Sequence, residues 1–463
     1  MASISSAFPN PTTSPDKSSL SAAESASERL RELALEKETM RRVTLRLIPF
    51  VFVLYIFNFL DRSNVGLAAL QMNRDLGFSA AAFSVGAGIF FIGYALFEVP
   101  SNLVLVRVGA RKWVARIMIT WGLLASGLMF VRTPTQFYVL RFLLGVAEAG
   151  FFPAILYYLS QWYPASMRAR SSAWFMIAIP LSGAVGGPLG GWLLGLNGVG
   201  GLAGWQWLFL LEGIPSFLLG FVVLAYLTER PEEARWLSAE QRDWLTARLR
   251  RDRDESTAPH GLAPLRALAH PMIWLAALPE FLVTTTGYAY LFWGPTIMRD
   301  TMHTTNMQTG LVFGAIAVLS AGAMLIVGAS SDRHSERFFH AAGCALVVSL
   351  GCAGAALLTD PIARFASLAL ASIAVIAFLA PFWVLPTILL SGTSAAVGIA
   401  LVNALGNIAG FVGPNIVGFL KTRTGGDNGA LLSLSAMAFV AAIVCVWMRS
   451  LVAPKVSPAG RRQ

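Results

Sequence analysis

The chain is poor in charge. Only 13% of its 463 residues are Asp, Glu, Lys or Arg, against about 25% in a typical soluble domain. Hydrophobic residues make up 56% and the mean hydropathy is +0.62. So few charges cannot keep that much apolar surface in water, which excludes an ordinary soluble domain and leaves lipid as the solvent. Cysteine is nearly absent. Cys344, Cys352 and Cys445 sit in apolar stretches without metal-like spacing and read as small packing or lipid-facing residues. There is no phosphate loop, no metal-spaced His or Cys set and no nucleophile motif, so nothing points to an enzyme or a cofactor. The glycine-rich run 198–204 follows no strand and is not a dinucleotide fingerprint. The first forty residues hold no apolar run, so no cleavable signal peptide is expected.

What the sequence does have is recurrence. Apolar stretches of about 20 residues, the length that crosses roughly 30 Å of hydrocarbon, fall near 46–67, 83–105, 113–131, 137–159, 171–195 and 206–227. After a polar segment they resume near 272–297, 309–329, 339–358, 364–389, 395–420 and 430–450. The expectation is an all-α polytopic protein with twelve membrane helices in two pseudo-symmetric six-helix bundles. The divisions are a tail over 1–43, a first bundle over 44–227, a central loop over 228–270, a second bundle over 271–450 and a tail over 451–463. The start of the first tail, with Pro9, Pro11 and Pro15, reads as disordered, and 24–42 as a short amphipathic helix. The central loop reads as an amphipathic helix starting at Pro231, with Trp236, Leu237, Trp244, Leu245 and Leu249 on its apolar side.

The net charge of +10 belongs to loops rather than to a nucleic-acid surface. Basic residues crowd the N-terminal tail, the turns holding Arg107, Arg111 and Lys112 and then Arg168 and Arg170, and the central loop from Arg230 to Arg253. Such loops stay cytoplasmic, which places both termini inside, with Lys421 and Arg423 an exception on the outer side. The two halves echo each other. Arg107-Val-Gly-Ala-Arg111-Lys112 after the second span corresponds to the turn holding Asp332-Arg333 and Arg337 after the eighth, an internal repeat of the kind transporters carry.

Ionisable groups within the spans are the informative ones, because a charge at the bilayer centre costs about 2.5–3.5 kcal/mol. Span 1 holds Asn58, Asp61, Arg62 and Asn64; span 2 holds Tyr94 and Glu98; span 4 holds Arg141 and Glu148. Arg141 and Glu148 are seven residues apart, about 10.5 Å along a helix, too far for a direct pair. Asp61 and Arg62 are adjacent and point about 100° apart, so each needs a partner on another element. Arg62 and Arg141 are permanent positive charges suited to a carboxylate. Asp61 and Glu148 can titrate, loading a proton on one side and releasing it on the other. A static charge network locking helices 1 and 4 together fits the same residues. Glu98, Glu212 and Glu280 read as structural or gating groups. Asn403 and Asn407, four apart, can present two amides on one face of span 11, or hydrogen-bond between helices.

The segments NFLDRSNVGLA (58–68), YALFEVPSNLVLVRVGARKW (94–113), RFLLGVAEAGFFPAILYYLSQWYP (141–164), GWQWLFLLEGIPS (204–216) and GNIAGFVGPNIVGFLK (406–421) resemble the anion:cation symporter branch of the major facilitator superfamily, over nearly the whole of 44–450. The resemblance implies proton-coupled import of an organic anion. It implies proton coupling through Asp61 and Glu148, and substrate contacts from Arg62, Arg141, Tyr94 and Asn403 or Asn407. It also implies gating by the turns holding Arg107, Arg111, Asp332 and Arg333. Two departures stand out. Val106 occupies the place of an acid that usually precedes the first arginine of the turn, and Ile177-Ala-Ile-Pro180 replaces the glutamine of some sugar-acid members. The latter argues against a polyhydroxylated substrate, and the chain is similar to 4-hydroxyphenylacetate permeases, so an aromatic carboxylate is expected. The expected partners are that anion, protons and the lipid bilayer of a bacterial inner membrane, with no nucleic acid, no cofactor and a working monomer. An exporter or exchanger of the same fold is the alternative, since span 5 has the Gly-Pro richness of antiporters. A transporter-like sensor is more distant, as 228–270 is short for an output domain.

Overall fold

A computed structural model of the chain describes residues 17–168, 171, 178–254, 271–386 and 393–452. The Pro- and Ser-rich start of the tail, Arg170, Ile177, the end of the central loop (255–270), the end of the tenth span (387–392) and the last residues (453–463) lie outside the described residues. The first half contains α1 (Lys17–Leu76), α2 (Ala80–Val108), α3 (Ala110–Gly127), α4 (Pro134–Glu148), α5 (Phe151–Ser160), α6 (Ala178–Leu194) and α7 (Gly204–Tyr226). After the connecting α8 (Ala239–Asp254) come α9 (Pro271–Met302), α10 (Asn306–Arg333), α11 (Phe338–Leu357), α12 (Pro361–Phe382), α13 (Thr393–Thr424) and α14 (Asn428–Val452). Among the described residues every regular element is helical, as it must be where lipid offers backbone groups no hydrogen bonds.

Among the described residues, 10 segments are long and apolar enough to cross a membrane, with α4 and α5 counted together as Pro134–Ser160. The described part of α6 is 17 residues long. The 32-residue α9 carries Glu280, Arg299 and Asp300, which lower its hydropathy. These two complete the twelve-span pattern. Within the first half α3 packs on α7 and α2 on α4; within the second, α11 packs on α12 and α14, and α9 on α13. The halves meet through α2 with α13, α6 with α10, and α1 with α9.

The structure departs from the sequence reading at three places. The amphipathic stretch 24–42 is not a separate helix, because α1 runs unbroken from Lys17 through Pro49 to Leu76. The fourth span is not continuous but breaks after Glu148 into α4 and α5. The helix of the central loop does not start at Pro231, which opens only a short 3₁₀ turn to Glu233. It starts at Ala239, where Ser238 Oγ accepts from Gln241 N at 3.2 Å and Gln241 Oε1 accepts from Ser238 N at 3.2 Å. That reciprocal cap outcompetes the proline as a start signal. The apolar face of this segment is turned onto the bundle. Leu237, Leu245 and Leu249 are buried, Trp236 stacks on Trp162 at 5.4 Å, and Asp252 accepts from Ala165 N at 2.7 Å.

The contacts between halves gather at the end of the bundle opposite the basic turns. There Trp293 donates to Ser84 Oγ at 3.1 Å, Lys421 lies 5.3 Å over the Trp293 ring, and Arg299 donates to the Leu70 carbonyl. α6 and α10 touch backbone to backbone, since a Cβ on Gly187 would strike the carbonyl of Gly310 and the amide of Gly314. Toward the basic end the contact weakens to the Asn403 amide, 3.5 Å from Glu98. There Leu96, Val99, Leu103 and Val106 of α2 stay 62–67% exposed. Among the described residues the halves are tied most closely at the end opposite the basic turns, called here the closed end.

Gly187→Val is therefore expected to lower stability by about 1–3 kcal/mol through overpacking at a contact that cannot yield. Gly127→Ala, whose Cβ meets nothing within 4 Å, is expected to be neutral or slightly stabilising. Thermal unfolding in detergent checks both; equal midpoints for the two variants would show that the α6–α10 contact tolerates a side chain.

Candidate functional site

Near the middle of the first half the chain buries more polar groups than it pairs. The break after Glu148 begins the arrangement. Ala149 leaves the helix at φ −54°, ψ 128°, and Gly150 follows at φ +87°, a conformation glycine adopts without strain. A Cβ there would also strike Ser101. The carbonyls freed by the break are taken by neighbours: Ser101 Oγ donates to Ala149 O at 2.6 Å and Arg116 to Ala147 O at 3.3 Å. Glu148 thus ends α4 in the bundle interior, with no exposed surface.

Its Oε1 receives everything. Asn58 Nδ2 donates at 2.8 Å, Arg62 Nε at 2.6 Å, and Arg62 Nη2 lies at 2.5 Å. Its Oε2 has no partner among the described residues. The sequence rule that Glu148 needs a partner off its own helix is answered by α1, one turn of which carries both Asn58 and Arg62. Arg62 is the accessible member, with 14% of its side chain exposed. Aromatic groups surround its guanidinium. The Tyr94 ring centroid is 4.9 Å away and that of Phe90 5.5 Å, and Tyr288 of α9 lies near enough to interact with it electrostatically.

Asp61 points elsewhere, as its adjacency to Arg62 requires. Its Oδ2 accepts from Trp121 Nε1 at 2.8 Å while Oδ1 has no partner among the described residues. One turn on, Asn64 donates to Glu212 of α7. Arg141 is fully buried and does not join the accessible group. It donates to the carbonyls of Gly86 at 3.3 Å and Ala87 at 3.1 Å on α2 and lies 4.7 Å over Phe90, with Nη1 unpartnered among the described residues. Asn403 and Asn407 lie across on α13, the first half-buried near Glu98 and the second buried.

The four turn residues lie far from this cluster. Arg111 Nε donates to Leu224 O at 2.9 Å within the first half, and Asp332 pairs with Arg337 at 2.5 Å within the second. Arg107 and Arg333 are exposed.

Brought together, then, are Asp61, Arg62, Tyr94 and Glu148, with Arg141 beside them. Sequence reasoning noted Asn58 without giving it a role and missed Trp121 and Tyr288. An aromatic residue in an apolar span carries no signal of its own; only the unpaired Asp61 and Arg62 implied that some donor and some aromatic face had to exist.

Trp121→Phe removes the one donor on Asp61 among the described residues and is expected to cost about 1–3 kcal/mol for an unsatisfied buried group. Adding Asp61→Asn is expected to recover part of that loss, because a neutral amide costs less to leave unpaired than a charge. A double-mutant cycle on thermal stability reads this; additive losses would mean the indole and the carboxylate do not interact.

Residues 51–414 match the Major Facilitator Superfamily. A protein of Agrobacterium vitis named as a tartrate transporter is 44% identical over 438 residues, covering 92% of this chain and 99% of its own. A protein of Acinetobacter baumannii named as a quinolone resistance transporter is 41% identical over 403 residues, covering 86% and 92%. The fold also matches the crystal structure of a bacterial homologue of the human lysosomal transporter Spinster, inward-facing and unoccupied, with a TM-score of 0.70 at 17% identity over 88% of this chain and 95% of that one. With a family match across most of the chain and transporters as its relatives, the chain belongs to the major facilitator superfamily and is a multi-pass integral membrane transporter.

Proposed function

We propose that the chain imports a small organic carboxylate, aromatic rather than polyhydroxylated, together with protons, by alternating access between the halves 44–227 and 271–450. The observation that carries this reading is the Arg62–Glu148 pair. One guanidinium, partly accessible, is held by one carboxylate whose second oxygen is free among the described residues. Glu148 and a ligand carboxylate compete for Arg62. A proton on Glu148 ends its hold, and Arg62 then offers its charge and two parallel N–H groups to the ligand. Loss of the proton returns Arg62 to Glu148 and expels the anion. Coupling is thus a consequence of two anions sharing one cation.

The remaining assignments follow the same logic. Asp61, tied to Trp121, is a second proton carrier. Tyr94 and Arg62 contact the ligand, with Arg141 fixing the field behind them and Asn403 and Asn407 meeting it from α13. The rings of Phe90, Tyr94 and Tyr288 around Arg62 favour an aromatic ligand. The turns with Arg107, Arg111, Asp332 and Arg333 form the gate at the basic end. That end, with both termini and the central loop, faces the cytoplasm of a bacterium, across its inner membrane. If net positive charge enters, each charge gains about 2.3 kcal/mol per 100 mV. The protein works as a monomer.

A second reading is export or exchange by the same site, favoured by the relative named for quinolone resistance. The sign of pH-driven flux in vesicles separates the two.

In proteoliposomes with an inward proton gradient, a labelled aromatic carboxylate is expected to accumulate. Glu148→Gln is expected to reduce gradient-driven uptake at least about tenfold, equivalent to about 1.4 kcal/mol, while counterflow exchange persists. Equal gradient-driven uptake by both proteins would return Glu148 to a structural role.

A further inference from the structure

The second half carries a buried carboxylate that the coupling scheme does not use. Glu280, on α9, is 5% exposed. Its Oε1 accepts from Thr284 Oγ1 at 3.0 Å, and its Oε2 has no partner among the described residues. A carboxylate this deep normally has its acceptor sites filled, since the unpaired group carries the full cost of losing water.

Its position gives that vacancy a direction. Glu280, Thr284 and Tyr288 recur every four residues and form one stripe along α9. Tyr288 ends the stripe beside Arg62, about 12 Å of helix rise from Glu280. Glu280 also lies within electrostatic reach of Tyr288. Across from it stands Gly406 of α13. A Cβ built there would find, among the described residues, a single atom within 4 Å, Glu280 Oε1 at 3.9 Å. Two turns further along, the same two helices touch backbone to backbone, with Gly413 against the Thr285 carbonyl. The α9–α13 contact is tight toward the closed end and opens at Glu280, and Asn403 and Asn407 flank the opening on α13. The first half thus supplies a cation at one end of the stripe and the second half an unsatisfied anion at the other.

We propose that Glu280 is a specificity residue that receives a cationic hydrogen-bond donor of the ligand, so that the preferred substrate is a dipolar carboxylate with a protonated amine about one ring away from its acid group. The acid group rests on Arg62, as in the reading above, and the ammonium fills the free oxygen of Glu280. A ligand of this kind bridges the two halves with opposite charges. An ion pair made inside a water-poor cavity rejects a ligand that lacks the donor, because the site's polar group is then left unpaired.

The test uses three para-substituted benzoates of similar size: 4-ethylbenzoate, 4-(hydroxymethyl)benzoate and 4-(aminomethyl)benzoate. Their binding to the full-length protein in detergent is measured by calorimetry, alongside Glu280→Gln and Arg62→Gln. The wild type is expected to bind the aminomethyl compound at least about tenfold more tightly than the ethyl compound, with the hydroxymethyl compound between. Glu280→Gln is expected to shrink that preference to about twofold. Equal binding of the three by the wild type would overturn the proposal without touching the role of Arg62. So would a preference that survives Glu280→Gln, or a changed pH dependence of uptake in that variant with an unchanged preference. Arg62→Gln is expected to weaken all three alike. Undiminished binding there would instead overturn Arg62 as the carboxylate anchor, while a loss of amine preference in Glu280→Gln would still stand for Glu280.

Discussion

One partly accessible guanidinium held by a buried acid organises the rest of this protein. Arg62 is pulled inward by Glu148 through two nitrogens on a single oxygen, and Asn58 adds a third donor to that oxygen. For this to happen the fourth span has to stop helical winding at Glu148. That stop is possible because Gly150 turns at positive φ and because Ser101 and Arg116 satisfy the carbonyls it frees. In lipid an unsatisfied backbone group costs several kcal/mol, so the broken helix and its two side-chain supports form one unit. The site rests on that unit as much as on the charges themselves.

The two halves repeat the same solution with different residues at the basic end. In the first, Glu229 caps the start of α3, accepting from Ala110 N at 2.7 Å and Arg111 N at 3.0 Å, while Arg111 ties the turn to α7. In the second, Glu336 caps the start of α11, accepting from Phe339 N at 2.8 Å, and Arg449 of α14 lies 3.6 Å from it. Each half joins its basic turn to its last helix by an acid at a helix N-terminus, where the helix dipole favours negative charge, and by an arginine. The acid comes from beyond α7 in one case and from the turn itself in the other. The contact between the halves is held by apolar packing and a few polar ties at the closed end. Val106, standing where an acid would be expected, leaves that place on α2 without a negative charge beside Arg107.

How much of this was legible beforehand depended on what kind of force was involved. The all-helical polytopic fold and the repeat of halves follow from hydropathy and loop charge, which are local. The need of Asp61, Arg62, Arg141 and Glu148 for partners off their own helices follows from helix geometry alone. The identity of those partners does not. Trp121, Tyr288 and the carbonyls of Gly86 and Ala87 meet the charges only because five separate helices cross there. The start of α8 at Ala239 rather than Pro231 turned on a reciprocal cap that a proline signal masks, and the unbroken α1 turned on helix propagation past a tail that reads as polar and tolerant.

By itself, the sequence determined that this chain lives in lipid, that it crosses as helices and that a handful of charges inside those helices must be paired. It did so because burial of apolar length and the cost of an isolated charge are properties of residues and their spacing. The tertiary structure alone decided that Glu148 takes Arg62 while Arg141 turns to the backbone of α2. It likewise decided that Glu280 faces Gly406 with one carboxylate oxygen lacking a partner among the described residues. Those outcomes depend on which helices lie side by side, and that is settled by close packing across the whole bundle rather than by any segment of it.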